Sequence, residues 1–161
     1  MACYMKFGDI AGSVTTEGYA NWIECGSFSW GAGRAISSAR GKGQNREASE
    51  PSISEITITK EWDASSSGLL FQEAVMGEMT HAVAFKFTST GKGTQETYLE
   101  VNLEEAGISG YSCSSGGDKP SESISINFGK IEVVPYKMEE GLAPEKGTPV
   151  SFNLTKMQAN A

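Results

Sequence analysis

The chain has 161 residues, 39% of them hydrophobic, and a mean hydropathy of −0.29; that is enough for one domain with its own core, and no apolar run is long enough to cross a membrane. A formal charge of −7 argues against a nucleic-acid partner, because phosphate binding needs a net positive face. The 19 glycines, the frequent Ser and Thr, and the short β-branched clusters point to an all-β protein with many turns.

The chain opens on "MACYMKFGDI". Cys3 to Phe7 alternates apolar and polar residues and predicts a first strand. No charged segment precedes an apolar one there, so no secretory leader is expected. Synthesis is then cytoplasmic, and export needs a route that ignores leaders. Residues 8–21 read as a loop punctuated by glycine. Residues 22–31 predict a second strand, with Phe28 and Trp30 facing inward and Ser27 and Ser29 on the opposite, polar face.

Residues 31–52 follow as a long loop. From Gly31 to Arg46 it carries four cations, Arg34, Arg40, Lys42 and Arg46, and no acid, so the rest of the chain sums to −11 (−7 minus +4). A solvated loop, an anion site and a protein-contact arm are the three readings. The segment lacks the interleaved aromatics that stack bases. Long ordered loops in compact domains are usually functional, and a basic loop on an acidic body complements another copy of that body. Such a contact joins two different patches, and it closes into a ring or runs on into a filament.

Residues 54–62 predict a third strand, with Ile56 and Ile58 inward and Thr57 and Thr59 outward. "DASSSGLLFQEAVMGE", residues 63–78, predicts the one helix. Ser66 or Ser67 is placed to cap it. Leu69, Leu70, Phe71 and Ala74 supply its apolar face, and Gly77 stands at the stop. So short a helix must dock on the β core. "HAVAFKF" puts His81, Val83, Phe85 and Phe87 on one strand face and Lys86 on the other. After a turn, Leu99, Val101 and Leu103 point inward, with Glu100, Asn102 and Glu104 outward. "SISINFGKIEVVPY" changes phase: Ile124, Ile126 and Phe128 are even, Ile131 and Val133 odd, and Gly129 lies at the change. A bulge or bend there is the device that curls a sheet into a barrel. The tail is mostly loop with a short strand at 150–154. With no repeat and no linker, the whole of 1–161 reads as one domain.

No catalytic constellation is legible. A Ser or Cys nucleophile needs a neighbouring base, and the only histidine, His81, begins a core-facing phase and reads as structural. Glu104–Glu105 and Glu139–Glu140 are adjacent pairs that point to opposite strand faces, so they do not imply a glycosidase pair. The two "GKG" runs, at 41–43 and 91–93, lack the rest of a phosphate-binding loop and read as turns. "NLT" at 153–155 is a glycosylation sequon without meaning in a chain lacking a leader. Cys3, Cys25 and Cys113 are odd in number and widely spaced. They read as reduced thiols in strands, and with a single histidine no metal site and no cofactor are expected.

Several stretches taken together resemble the haemolysin-coregulated protein (Hcp) family, the tube subunits of the bacterial type VI secretion system. They are "MKFGDIAGSV", "WIECGSFSWGAG", "ISEITITKEWDASSSGLL", "YLEVNLEEAGISGYSCSSGG" and "SESISINFGKIEVVPY". The chain departs from the family at Gly68, where proline is common, and 63–68 is one residue longer than usual. The resemblance implies an all-β fold with one short helix: a β-barrel of two antiparallel sheets with the helix at its side. It implies a homohexameric ring that stacks into a hollow tube. A contracting sheath expels that tube from the cell, with a tip protein ahead of it and effector proteins in its lumen. It implies no enzyme activity and no membrane insertion, and no toxin extension is expected.

Carried over by residue, the loop at 31–52 matches the family's inter-subunit or ring-stacking loop, with Arg34, Arg40, Lys42 and Arg46 as its cations. Ser27 and Ser29 fall on the face assigned to the lumen, with an ordinary outer surface as the other reading. Phe28, Trp30, Ile56, Ile58, Phe85, Val101, Ile126 and Phe128 form the barrel core. The alternative function is a small β-sandwich binding module for carbohydrate or protein. That would need exposed coplanar aromatics, whereas Trp22, Trp30 and Trp62 sit in or beside strands and read as core.

Overall fold

A computed structural model describes residues 2–34, 36–37, 47–48, 51–91, 93–137 and 144–159. In chain order the strands before the helix are β1 (Ala2–Phe7), β2 (Ile23–Cys25), β3 (Ser27–Ser29), β4 (Ala32–Gly33), β5 (Ile36–Ser37), β6 (Glu47–Ala48), β7 (Ser52–Ile53) and β8 (Ile56–Glu61). Helix α1 (Ser67–Met76) follows. Then come β9 (His81–Gly91), β10 (Thr94–Ser114), β11 (Ser121–Asn127), β12 (Lys130–Lys137), β13 (Glu145–Lys146), β14 (Val150–Asn153) and β15 (Gln158–Ala159).

All pairings are antiparallel, and the 21-residue β10 organises them. Its first half lies between β9 and β12, in a sheet ordered β2-β1-β9-β10-β12-β14-β15. Its second half pairs with β11, in a sheet that continues through β8 to β3. The change of sheet falls between Glu104, opposite Lys130, and Gly107, opposite Asn127. The β9–β10 register shifts there between Leu103 and Ala106, a bulge, and Glu105 within it has φ of 50°. The return chain turns the same corner at Phe128 and Gly129, between β11 and β12. Gly129 donates its N–H to the Glu104 carbonyl at 3.1 Å. A Cβ on Gly129 would lie 2.6 Å from a Glu105 carboxylate oxygen and 3.1 Å from the Glu105 Cβ, so any larger residue there would have to displace the Glu105 side chain. The phase change read in the sequence is thus a break between two strands at a sheet corner.

At the other corner the chain passes from β2 to β3 through Gly26, whose N–H donates to the Thr59 carbonyl at 2.7 Å. Among the described residues β2 pairs only with β1, and β3 only with β8. The class is all-β with one short helix, but the sheets do not close as a barrel; the expectation of a barrel is corrected here. The chain itself bridges the gap where ladder hydrogen bonds do not.

The core lies between the two sheets. Met5, Phe7, Ile23, Ile56, Ile58, Val83, Phe85, Val101, Leu103, Ile124 and Ile126 are fully buried or nearly so, with Phe128 and Ile131 close behind. Each such side chain contributes about 1.5–3 kcal/mol. Phe28 is half-buried, its ring 4.9 Å from both Phe85 and Phe87, edge to face. Trp30 is not core: it is 41% exposed, because β3 ends at Ser29 and no strand covers the next residue. Trp62, just past the end of β8, is 40% exposed for the same reason. The outer face of the larger sheet is covered as well. Loop 8–22 folds over it, stacking Tyr19 on Tyr4 at 5.0 Å, with the Lys86 ammonium 5.2 Å from the Trp22 ring. Lys86 pairs with Glu100 at 3.7 Å, and Glu100 accepts the Tyr136 hydroxyl at 2.7 Å. Burial first, and then that bond, push the Tyr136 phenol up to about 12.

Helix α1 docks by a narrow stripe. Ser67 and Leu70 are buried and Ala74 half-buried, whereas Leu69 and Phe71 are exposed. Its start differs from the cap expected at Ser66 or Ser67. Ser66 occupies the cap position but makes no capping hydrogen bond. Asp63 does that work instead, accepting the Ser65 N–H at 2.7 Å and the Ser66 hydroxyl at 3.1 Å. Burial alone would raise the Asp63 carboxyl, but these bonds and one from Ser13 outweigh it and lower its pKa. Ser67 is occupied elsewhere. Its hydroxyl accepts from Lys60 at 3.0 Å and donates to Glu122 at 2.8 Å. At the far end Gly77 adopts φ of 70° and returns its N–H to the Glu73 carbonyl, a left-handed stop.

Candidate functional site

The outward face of the smaller sheet is built almost wholly of hydroxyls. Its alternate residues, Phe28, Ile58, Ile124 and Tyr111, run in one register row toward the core. The residues between them therefore all face out. One outward row runs Ser29, Thr57, Ser125 and Gly110 across β3, β8, β11 and β10. The next runs Ser27, Thr59, Ser123 and Ser112, and a third Glu61, Ser121 and Ser114. Ser27 and Thr59 share a hydrogen bond at 2.6 Å, and Ser29 reaches the Thr57 carbonyl at 3.5 Å. Within these three rows Glu61 is the one charge.

Ser27 and Ser29 thus sit exposed on a continuous surface. Thr57, Thr59, Ser112, Ser114, Ser121, Ser123 and Ser125 belong to it too and were not grouped with them from sequence. Each strand carried the signal, a hydroxyl at every second position. Strand pairing, which brings the runs together, was not legible.

The segment at 31–52 has a hairpin base. β4 pairs with β7, and β5 with β6, so the arm leaves the body as a two-stranded ribbon. Ser54 clamps it: its hydroxyl accepts the Gly31 N–H at 2.7 Å and donates to the Gly31 carbonyl at 2.9 Å. Arg34 is exposed on this base. Arg40, Lys42 and Arg46 lie outside the described residues.

His81 Nε2 is 2.7 Å from Glu73 and 4.0 Å from Glu78, with its ring 5.1 Å from Phe7. These three side chains are a grouping that could hold a metal ion. Here the imidazole and the Glu73 carboxylate already satisfy each other. Among the described residues the polar side-chain partners of the His81 imidazole are carboxylates, not a nucleophile.

A family model described as "Type VI secretion system effector, Hcp" matches residues 4–134. Among curated protein sequences none matches. Solved structures show the same fold. One of a type six secretion system protein superposes with a TM-score of 0.87 at 22% identity, covering 99% of both chains. A mutant Hcp1 from E. coli EAEC 042 gives 0.73 at 20% identity over 96% of this chain and 99% of the other. The secreted protein Hcp3 from Pseudomonas aeruginosa gives 0.65 at 22%, over 94% and 97%.

Proposed function

The chain belongs to the Hcp family of type VI secretion system effectors, and from that premise we propose that it is a non-catalytic subunit of the secretion tube. Six copies form a ring, rings stack into a hollow tube, and the hydroxyl face lines the lumen. The observation that supports this is the composition of that face. A passage for unrelated cargo must neither grip apolar segments nor repel one sign of charge. Small neutral hydroxyls meet both needs and still offer hydrogen bonds to a passenger effector.

The placing of the helix agrees. α1 packs on the core side of the same sheet, where the Phe71 ring meets Tyr111 at 5.6 Å. With the hydroxyl face inward, the exposed Leu69, Phe71, Val75 and Met76 turn toward the outside of the ring, where sheath would meet tube. The basic arm reaches an acidic neighbour, and the tip protein caps the stack. The subunit is made in the cytoplasm and leaves through the machine it helps to build.

Exposed Trp30 and Trp62 do not revive the carbohydrate-binding reading. By register Trp30 falls beside Ile56, six residues along from Trp62, about 20 Å at strand rise. They cannot form one stacking platform. Negative-stain microscopy with native mass spectrometry tests the proposal: six-fold rings of uniform mass are expected. A monomer that persists at high concentration and low salt would overturn it.

A further inference from the structure

Two of the three thiols face each other. Cys3 of β1 lies directly across from Cys25 of β2, and they are only 9% and 6% exposed. Widely spaced in the sequence, these two cysteines are brought together by the strand register. The hydrogen-bond phase of the strands fixes their separation. Gly8 donates its N–H to Ala82 at the end of the β1–β9 ladder, so Lys6 and Tyr4 also bond toward β9, and Cys3 and Met5 turn their backbone groups to β2. From the other side, Gly26 turns its N–H to Thr59, away from β1, so its neighbour Cys25 faces β1. Cys3 and Cys25 are therefore a hydrogen-bonded antiparallel pair, whose Cα atoms lie about 5.5 Å apart, within the commonest range for disulfides.

We propose that Cys3 and Cys25 are a redox pair that closes into a cross-strand disulfide under oxidising conditions and pins β2, the last strand on this side of the larger sheet, to β1. The oxidant is a disulfide of the glutathione class. A thiolate of the pair attacks it, releasing one glutathione thiol and leaving a mixed disulfide. The second cysteine then displaces the other glutathione, so two protons and two electrons leave the pair and one external S–S bond becomes two thiols. In a reducing compartment the pair stays as thiols.

The surroundings set the pace of this step. The Cys3 thiol hydrogen-bonded to it, and then burial, raise the Cys25 pKa well above its ordinary value, so thiolate is scarce while the strands are closed. Opening is local, because β2 has three residues and pairs only with β1 among the described residues. An edge this short opens far more often than the whole fold. Cys113 is exposed and stands across from Glu122, so it has no thiol partner in its own ladder. The proposal does not depend on ring formation.

The test uses the full chain carrying Cys113→Ser, equilibrated in reduced and in oxidised glutathione. The oxidised sample should lose the mass of two hydrogens and yield one linked peptide joining Cys3 to Cys25. Its Tm should rise by on the order of 5–10 °C, because the bond closes a loop in the unfolded chain. Adding Cys25→Ser should abolish the rise. Two free thiols after equilibration in oxidised glutathione would overturn the proposal. So would stable glutathione adducts at either position, or chains linked to one another. The mapping result stands even where Cys25→Ser weakens the fold.

Discussion

Glu122 of β11 is fully buried, and three other elements converge on its carboxylate. Lys60 of β8 pairs with it at 2.5 Å, Ser67 of α1 donates to the same oxygen, and Tyr111 of β10 donates to the other. Lys60 also donates to the Glu61 carbonyl at 3.0 Å, so the ammonium has partners besides the carboxylate. A buried pair of this kind gives little net stability over a well-packed apolar pair, but breaking it leaves a bare charge in the core. Glu122→Ala should therefore destabilise by about 3–5 kcal/mol. Lys60→Met combined with Glu122→Leu should cost less than Glu122→Ala alone. Urea denaturation of the variants, with m-values checked for constancy, reads both. A double variant as unstable as the sum of the two single ones would show that the carboxylate and ammonium do not act as a pair. Burial and the bond to Glu122 both raise the Tyr111 phenol, so that hydroxyl stays protonated and donating through the neutral and mildly alkaline range.

At the scale of the element, α1 shows what a one-dimensional reading can and cannot supply. Its existence, its left-handed stop at Gly77 and its need to dock follow from composition and length. Its start does not, because Ser67 serves a buried network spread over β8, β10 and β11, and Asp63 takes the cap. Strand phase was legible wherever a strand alternates, as at Ile56, Ile58, Val101 and Ile126, and the break at Gly129 was legible as a phase change. Trp30 was misplaced because a period continues on paper after the strand has ended in space. The hydroxyl surface was half legible: Ser27, Ser29, Thr57 and Thr59 were placed on outward faces, but that they and the serines of β10 and β11 form one surface appears only when β3, β8, β11 and β10 are laid side by side. The docking stripe makes a prediction at this same scale. Leu70→Ala should cost about 2–5 kcal/mol, since Leu70 is fully buried. Val75→Ser, at 68% exposure, should change stability by no more than about 0.5 kcal/mol. Thermal melts of the monomeric form compare them, and equal losses would mean that the helix buries a different face.

For the whole molecule the governing feature is charge asymmetry: residues 31–46 carry +4 against −11 for the rest of the chain, and the full arm at 31–52, which adds Glu47 and Glu50, keeps +2 against −9. Each exposed ion pair contributes only about 0–1 kcal/mol, too little to hold two subunits alone. In the proposed ring the contact would recur at every interface, however, so even a small term per arm would be multiplied across the assembly. Reversing Arg40, Lys42 and Arg46 to Glu removes these attractions and sets acid against acid. At about 1.4 kcal/mol per factor of ten, assembly should move to concentrations roughly 10–100-fold higher, while circular dichroism and monomer Tm stay near wild type. The wild-type contact should weaken as salt rises, because screening over about 10 Å at 0.1 M reaches across an exposed interface. The variant should show a flatter or inverted salt response. Net charge is a competing cause, since the three reversals shift it by −6 wherever they are placed. Reversing Lys6, Lys130 and Lys156 instead gives the same total on the body. Sedimentation velocity of the two variants separates the causes. A large loss for the arm variant and a small one for the body variant places the contact on the arm, and equal losses would remove the arm from the interface and leave only the repulsion common to any more acidic subunit.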